Sequence, residues 1–140
     1  MKSGPIILIE DDEDDKEIFQ TCLAELIVTN KLIWFNNCAE AFHYLKTTSE
    51  QPFIIFSDVN LQKITGIEFK RQIDSDPQLR RKSIPFIFYS TSVSQDTVDK
   101  AYIELSVQGF FQKKSSFLEV KNSIHMILRY WSECRHPNTR

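Results

Sequence analysis

The chain has 140 residues, which is enough for one domain with a hydrophobic core and too few for two ordinary domains. A hydrophobic fraction of 41% and a charged fraction of 26% are typical of a globular protein and argue against disorder. The formal net charge of −2 argues against a general nucleic-acid or membrane-surface binder, because both classes rely on a basic face.

The sequence shows no signal-peptide pattern and no bilayer-spanning stretch, and together with the cysteine usage this favours a cytoplasmic protein. No apolar stretch approaches the length that spans a bilayer, and residues 1–5 lead directly into a predicted strand rather than into a signal-peptide apolar region. Cys22, Cys38 and Cys134 are odd in number and far apart, and they include no CxxC pair. Reduced thiols are therefore the simplest interpretation.

Short apolar runs alternate along the chain with segments of helical periodicity, which is the pattern of βαβ units in a parallel sheet. Ile6–Ile9 is apolar throughout, as in a strand that is covered on both faces. From about Asp14 a helix is predicted, because apolar residues recur at three- and four-residue spacing. The residues of this predicted face are Ile18, Phe19, Cys22, Leu23, Leu26 and Ile27.

Two further strands, Leu32–Phe35 and Phe53–Ser57, enclose a short helix that begins near Asn37 or Cys38. The third strand is the most apolar after the first, and we expect it to be central in the sheet. The apolar positions of the short helix are Ala39, Phe42 and Leu45.

The second half of the chain continues the alternation. A third helix follows a loop with Gly66, and Ser75-Asp76-Pro77 ends this helix, because the residue before a proline avoids the α region. Phe86–Tyr89 and Gly109–Gln112 predict the fourth and fifth strands, separated by the weakest predicted helix. The apolar positions of the last three helices are Ile67, Phe69 and Ile73; Val98, Ala101, Tyr102 and Leu105; and Phe117, Val120, Ile124, Ile127, Leu128 and Trp131.

Five strands and five helices in strict alternation predict an α/β fold, namely a three-layer αβα, doubly wound (βα)5 sandwich around a five-stranded parallel sheet. The predicted domain covers residues 4–131, and residues 132–140 are predicted to form a polar, frayed C-terminal tail. Sheets of this kind bind their ligands beyond the carboxyl ends of the strands.

Four of the predicted strands end at polar residues of the types that phosphoryl transfer uses. The first strand runs into Glu10–Asp12, the third into Asp58, the fourth into Ser90 and the fifth into Lys113. Transfer to a carboxylate needs an accessible acceptor, a divalent cation and groups that hold the phosphoryl oxygens. Mg²⁺ prefers oxygen ligands and keeps several waters, so two or three carboxylates suffice. The strand ends together therefore predict a phosphoryl-accepting site.

Each of these signals alone has a commoner structural explanation. An acid run such as Glu10–Asp15 is more often a solvated helix start than a metal site, because negative charge is favourable at a helix N-terminus. A single Asp after a strand is usually a turn residue, and single Ser and Lys residues are usually satisfied locally or by solvent. The coincidence of all four at strand ends is what these explanations do not predict.

The sequence resembles the CheY-like receiver domains of two-component response regulators, from about Pro5 to Trp131. The resemblance implies that the strands are arranged in the order 2-1-3-4-5. It also implies that the chain is a stand-alone, single-domain response regulator that is phosphorylated as part of a phosphorelay. The motifs that carry the resemblance are Leu8-Ile9-Glu10-Asp11-Asp12, Ser57-Asp58-Val59-Asn60-Leu61 followed by Gly66, Tyr89-Ser90-Thr91-Ser92 and Gly109-Phe110-Phe111-Gln112-Lys113.

The resemblance also implies a role for each site residue. Asp58 is the expected phosphoacceptor, which attacks a phosphohistidine on a sensor histidine kinase or phosphotransfer protein. Mg²⁺ is the expected cofactor, with Glu10, Asp11, Asp58 and the backbone carbonyl of Asn60 as its site and Asp12 as a further candidate. The expected switch and phosphate-binding residues are Ser90, Thr91, Phe110 and Lys113.

Four positions depart from the pattern of the family. Gln62 replaces a common proline, which predicts a less rigid loop after Asp58. Lys114 replaces the proline that usually follows the lysine, which puts a cis peptide at that bond in doubt. Phe110 has no hydroxyl, so a hydrogen bond made by a tyrosine there is not available. Thr91 stands where a smaller residue is common, and its methyl group is expected to narrow access to the phosphate.

The leading interpretation is a phosphorylation switch that signals through changed contacts with an unknown protein target or a second copy of the chain. It is not an enzyme in the usual sense, since it promotes only its own phosphorylation and dephosphorylation. A small α/β phosphohydrolase, a degenerate receiver that binds partners without phosphorylation, and a flavodoxin-type cofactor domain stay open. The phosphohydrolase typically has a second acid where this chain has Asn60, and the acidic first loop would repel a cofactor phosphate.

Overall fold

Five parallel strands form one sheet in the order β2-β1-β3-β4-β5, as predicted, with β3 at its centre. The computed structural model describes residues 2–91 and 94–136, so the predictions at Ser92 and in residues 137–140 lie outside the described part. The strands are β1 (Ile6–Ile9), β2 (Leu32–Phe35), β3 (Ile54–Ser57), β4 (Phe86–Ser90) and β5 (Gly109–Gln112).

The helices begin at residues whose side chains accept hydrogen bonds from backbone amides of the first turn. Such N-caps satisfy amide groups that have no partner within the helix. The caps are Asp12, Asn37, Thr65, Asp76, Ser94 and Ser116. The helices are α1 (Glu13–Glu25), α2 (Cys38–Thr47), α3 (Gly66–Ser75), α4 (Pro77–Lys82), α5 (Gln95–Glu104) and α6 (Phe117–Glu133).

The prediction of five helices in strict alternation was wrong, because a further helix, α4, follows α3 before the next strand. Ser75-Asp76-Pro77 does end α3, but the same residues also begin the next helix. The Asp76 carboxylate accepts hydrogen bonds from the amides of Gln78 and Leu79, and Pro77 occupies the first helical position. Proline is favourable at this position, since its missing N–H would have no partner there.

Most residues of the predicted helix faces are at least partly buried, but Ile18 at the centre of α1 and Tyr102 on α5 are 40% and 54% exposed. Phe19, Cys22 and Leu23 are buried on α1, whereas Ile27 lies beyond the end of the helix and is 83% exposed. Ala39 is exposed on α2, where the buried positions are Cys38, Ala41 and Leu45. The last helix continues through Ser132 to Glu133, two residues beyond the predicted domain end.

The core has one layer on each face of the sheet, because successive residues of a strand point to opposite faces. Ile6 and Leu8 of β1 pack in the layer of α1 and α6, whereas Ile7 and Ile9 pack in the layer of α2 to α5. Both faces are therefore covered, and the carboxyl edge of the sheet is left for the polar residues that follow the strands. Among the described residues, no helix is long and apolar enough to cross a membrane.

Candidate functional site

Sheet hydrogen bonds continue past the strand ends and fix the residues that follow them. Ile9 pairs with Ser57 in register, and the amide of Asp58 donates to the carbonyl of Ile9 at 3.0 Å. The amide of Lys113 likewise donates to the carbonyl of Ser90 at 2.8 Å. The sheet itself therefore sets the backbone positions of Asp58 and Lys113.

Asp58 follows the central strand and is 8% exposed. Its Oδ1 accepts hydrogen bonds from the Ser90 hydroxyl at 2.6 Å and from the amide of Asn60 at 3.1 Å. Its Oδ2 lies 3.4 Å from the Nζ atom of Lys113. Both carboxylate oxygens of Asp58 therefore face hydrogen-bond donors. Donors in these positions can also contact the oxygens of a phosphoryl group attached to the carboxylate.

Lys113 is the positive centre of the site, with a side chain only 10% exposed. Its ammonium group contacts the carboxylates of Glu10, Asp15 and Asp58, the last two at 3.0 and 3.4 Å. Burial disfavours the charged form, but the hydrogen bonds to Glu10 and Asp15 and the charges of Glu10 and Asp58 raise the pKa of Lys113. The ammonium is therefore held in its charged form.

Glu10 is the most buried acid of the site, at 3% exposure. Burial raises its pKa to about 7, an effect that Lys113 opposes and the neighbouring charges of Asp58 and Asp15 reinforce. Its backbone carbonyl accepts a hydrogen bond from the indole of Trp34 at 2.7 Å. This bond ties the end of β1 to β2 directly beside the acid run.

Asp11 and Asp12 are engaged by backbone amides. Asp11 Oδ2 accepts from the amide of Gln62 at 3.2 Å, which joins the loop after β1 to the loop after β3. A proline at position 62 could not make this bond, so the residue expected to loosen the loop also tethers it. Asp12 Oδ1 accepts from the amides of Asp14 and Asp15 as the N-cap of α1, a role that competes with metal ligation.

The donor set suits Mg²⁺ in chemistry, although within residues 2–91 and 94–136 no three His, Cys, Asp or Glu side chains already converge as a metal cage. Asp11 and Asp58 follow neighbouring strands and offer hard oxygen ligands, and the carbonyl of Asn60 lies two residues beyond Asp58. Mg²⁺ keeps several waters, so this small set is sufficient. Glu10 is occupied by Lys113 and is therefore a less direct candidate.

One small cavity of about 80 Å³ at the site is lined by Asp15, Asp58, Thr91 and Lys113, among other residues. Thr91 is exposed, and its carbonyl accepts from the side-chain amide of Gln112 at 3.3 Å. The expected narrowing of access to the phosphate by the Thr91 methyl group stays a prediction. The Lys113–Lys114 peptide bond is trans, and no described peptide bond is cis.

Phe110 and Ser90 lie at the two ends of the predicted switch. The half-buried Phe110 ring packs against Phe88, with ring centroids 5.3 Å apart. Ser90 is fully buried and already bonded to Asp58, so in this structure no inward rotation is needed to reach the acceptor.

Two residues at the site, Asp15 and Trp34, were not predicted from the sequence. Asp15 has a readable signal, because it stands four residues before Phe19 and so belongs to the buried face of α1. The first turn of α1 lies near the carboxyl end of β1, so an acid on the buried face of that turn is a candidate for the site. Trp34 carries no such signal, since its contact depends on how β2 aligns with β1.

Comparisons with known proteins identify relatives that align with most of this chain. The family model described as "Response regulator receiver domain" matches residues 6–125. The response regulator Rcp1 of Synechocystis sp. is 29% identical over 133 residues, which cover 91% of this chain and 88% of that protein. The phosphorylated cyanobacterial phytochrome response regulator RcpA superposes with a TM-score of 0.86 at 28% identity, covering 98% and 100% of the two chains. The Mn²⁺-bound form of Rcp1 gives 0.81 at 28% identity, covering 95% and 97%.

Proposed function

This chain belongs to the response regulator receiver family of two-component phosphorylation signalling, and on that premise we propose that Asp58 is its phosphoacceptor. Receiver domains interact with histidine kinases or phosphotransfer proteins. We propose that such a partner supplies the phosphoryl group here as a phosphohistidine. RcpA is a response regulator of a phytochrome, which makes a phytochrome-type histidine kinase one candidate donor to test.

The observation that carries this proposal is the set of donors on the Asp58 carboxylate. The Ser90 hydroxyl, the Asn60 amide and the Lys113 ammonium approach its two oxygens within 2.6–3.4 Å. A buried aspartate that only stabilised a turn would need no hydroxyl and ammonium from two other strands. The arrangement is suited to holding the oxygens of a group attached to this carboxylate.

The transfer is a displacement at phosphorus. A carboxylate oxygen of Asp58 forms the new O–P bond while the N–P bond of the donor phosphohistidine breaks, and the imidazole leaves with the bonding electron pair. The Ser90 hydroxyl donates a hydrogen bond to one phosphoryl oxygen, and Lys113 offsets the charge of another. Both groups are held by the sheet before the reaction, so little reorganisation is needed.

A divalent cation is required because the acceptor and the phosphoryl group are both anionic. Asp11, Asp58 and the carbonyl of Asn60 would hold Mg²⁺, which supplies charge neutralisation and orientation of the phosphoryl oxygens when bound. The existence of an Mn²⁺-bound form of Rcp1 supports the proposal that this chain also binds a divalent ion. Glu10 would contribute negative charge through Lys113, and Asp12 would contribute by capping α1.

The signal would leave the site through Ser90 and Phe110 to the surface of α5 and β5. Ile103 and Tyr102 on α5 are 82% and 54% exposed, which provides apolar area for an unknown protein target or a second copy of the chain. A target must bind one state more tightly, since a partner with equal affinity for both shifts nothing.

We propose no turnover of an external substrate. A phosphohydrolase that uses an aspartyl-phosphate typically carries a second acid two residues after the nucleophile, and here that residue is Asn60. An amide cannot donate or accept the proton that a general acid–base step needs.

Intact-protein mass spectrometry after incubation with acetyl phosphate tests the proposal. The wild-type chain should gain one labile phosphoryl group only when Mg²⁺ is present, and Asp58→Asn should gain none. Circular dichroism of the variant provides the folding control. Equal labelling of wild type and variant, or no labelling of a folded wild-type chain, would reject the assignment.

A further inference from the structure

Lys113 is shared by three carboxylates, and one of them has no part in the function proposed above. Asp15 Oδ2 lies 3.0 Å from the Lys113 ammonium, closer than Asp58 Oδ2 at 3.4 Å. Glu10 is the third partner. The positive charge that a phosphoryl group on Asp58 would need is therefore already divided in the unphosphorylated protein.

Asp15 is held in place by the start of α1. Its amide donates to the N-cap Asp12 at 3.2 Å, so the residue lies in the first helical turn. One turn later, Phe19 is buried with its ring 4.9 Å from that of Phe56 on the central strand. The helix therefore holds the Asp15 carboxylate in a fixed position beside Lys113. The side chain of Asp15 is still 32% exposed.

We propose that Asp15 is a positioning residue that competes with the phosphoryl group on Asp58 for the ammonium of Lys113, and so limits the stability of the phosphorylated state. The inference rests on the proposed function of Asp58. Nothing in that function requires Asp15, because Ser90, Lys113 and a cation would complete the acceptor site without it.

The competition follows from charge. A phosphoryl group brings further negative charge beside Asp15, and the two anions repel each other while both attract one ammonium. Removal of the Asp15 charge ends the repulsion and leaves Lys113 free for the phosphoryl oxygens.

The same removal has the opposite effect on a cation. The unphosphorylated site loses one negative charge near the metal, and Lys113 shifts toward Glu10 and Asp58, where its positive charge disfavours a divalent ion. The inference therefore predicts opposite changes in cation affinity and in phosphoryl affinity. A substitution that merely loosened the fold would weaken both.

The test compares Asp15→Asn with Asp14→Asn, which removes one negative charge from the same helical turn but lies outside the carboxylate set of Lys113. Calorimetry measures Mg²⁺ binding, and fluorine NMR measures binding of beryllofluoride, an unreactive phosphoryl analogue, at saturating Mg²⁺. Asp15→Asn should bind Mg²⁺ about two- to fivefold more weakly and beryllofluoride about two- to fivefold more tightly, the range expected for a partly exposed ion pair. Asp14→Asn should change beryllofluoride affinity less than Asp15→Asn does.

Each other outcome overturns the inference. Unchanged or weaker beryllofluoride binding by Asp15→Asn, with normal binding by the wild type, would show that Asp15 does not compete, and the proposed function would stand. An equal gain in Asp14→Asn would assign the effect to net charge rather than to the contact. A wild-type chain that binds Mg²⁺ but no beryllofluoride would reject the acceptor role of Asp58 and this inference with it.

Discussion

Gly66 allows the loop after β3 to pack against the backbone of Asp58. Its amide donates to the carbonyl of Val59 at 2.9 Å, which closes the loop on the acceptor. A Cβ atom at this position would lie 2.2 Å from the carbonyl oxygen of Asp58 and 3.0 Å from the ring of Phe88. The acceptor can keep its position only if residue 66 has no side chain.

We expect Gly66→Ala to lower the free energy of unfolding by about 1–3 kcal/mol, the usual cost of an added methyl group in a packed region. It should also reduce labelling by acetyl phosphate, because the displaced backbone carries Asp58. Urea unfolding and mass spectrometry measure the two effects. Gly109→Ala is the control, since its Cβ would meet only side-chain atoms, at 3.1 Å or more, and should cost less. Equal losses in both variants would contradict this account.

The site residues differ in how far the sequence reveals them. Asp58, Ser90 and Lys113 could be predicted, because each directly follows or ends an apolar run and parallel strands bring such positions to one edge. The contacts of Asp15 with Lys113 and of Gln62 with Asp11 could not, since they join residues 98 and 51 positions apart through loop and helix geometry. Sequence patterns give the edge on which a residue lies, but not the side chain that it meets there.

At the scale of the elements, helix ends are the least predictable features. The start of α4 could be recognised from Asp76-Pro77, because both residue types favour a helix start. The end of α1 could not, since Ile27 occupies a left-handed position, with φ of 56°, where glycine is usual. The amides of Ile27 and Val28 donate to the carbonyls of Ala24 and Leu23 and so close a Schellman motif.

We expect Ile27→Gly to raise the free energy of unfolding by about 1 kcal/mol, because glycine adopts the left-handed conformation without strain. Little packing is lost, since Ile27 is 83% exposed. Urea denaturation measures the change. Val28→Gly, at a half-buried neighbour outside the left-handed region, should instead destabilise the protein. A loss of stability in Ile27→Gly like that in Val28→Gly would contradict the prediction. It would mean that the side chain of Ile27 contributes more stability than its left-handed conformation costs.

At the scale of the whole molecule, the alternation of strands and helices predicts the two-layer core well. Strands that are apolar at nearly every position must be covered on both faces, and every residue of β1 and β3 is buried. The two layers each contain one buried cysteine, Cys22 beside α6 and Cys38 on the opposite face. The order of the strands came from the family resemblance, because local periodicity does not contain it.

The two buried cysteines should report the integrity of both layers. Burial raises the pKa of Cys22 and of Cys38 to about 11, so at pH 8 their reactive thiolate forms are scarce in addition to being inaccessible. We expect iodoacetamide at pH 8 to modify the half-buried Cys134 first, as measured by peptide mass spectrometry. In denaturant all three should react alike. Rapid native labelling of Cys22 or Cys38 would contradict the packing described for that layer.

The most direct test of the central claim is to identify the residue that carries the phosphoryl group. Sodium borohydride reduces an aspartyl-phosphate to homoserine, and peptide mapping locates the change. After treatment with acetyl phosphate and Mg²⁺, we expect homoserine in place of Asp58, and no homoserine when Mg²⁺ is omitted. Reduction at Asp11, Asp12 or Asp15 instead, or reduction at Asp58 that does not depend on Mg²⁺, would contradict it.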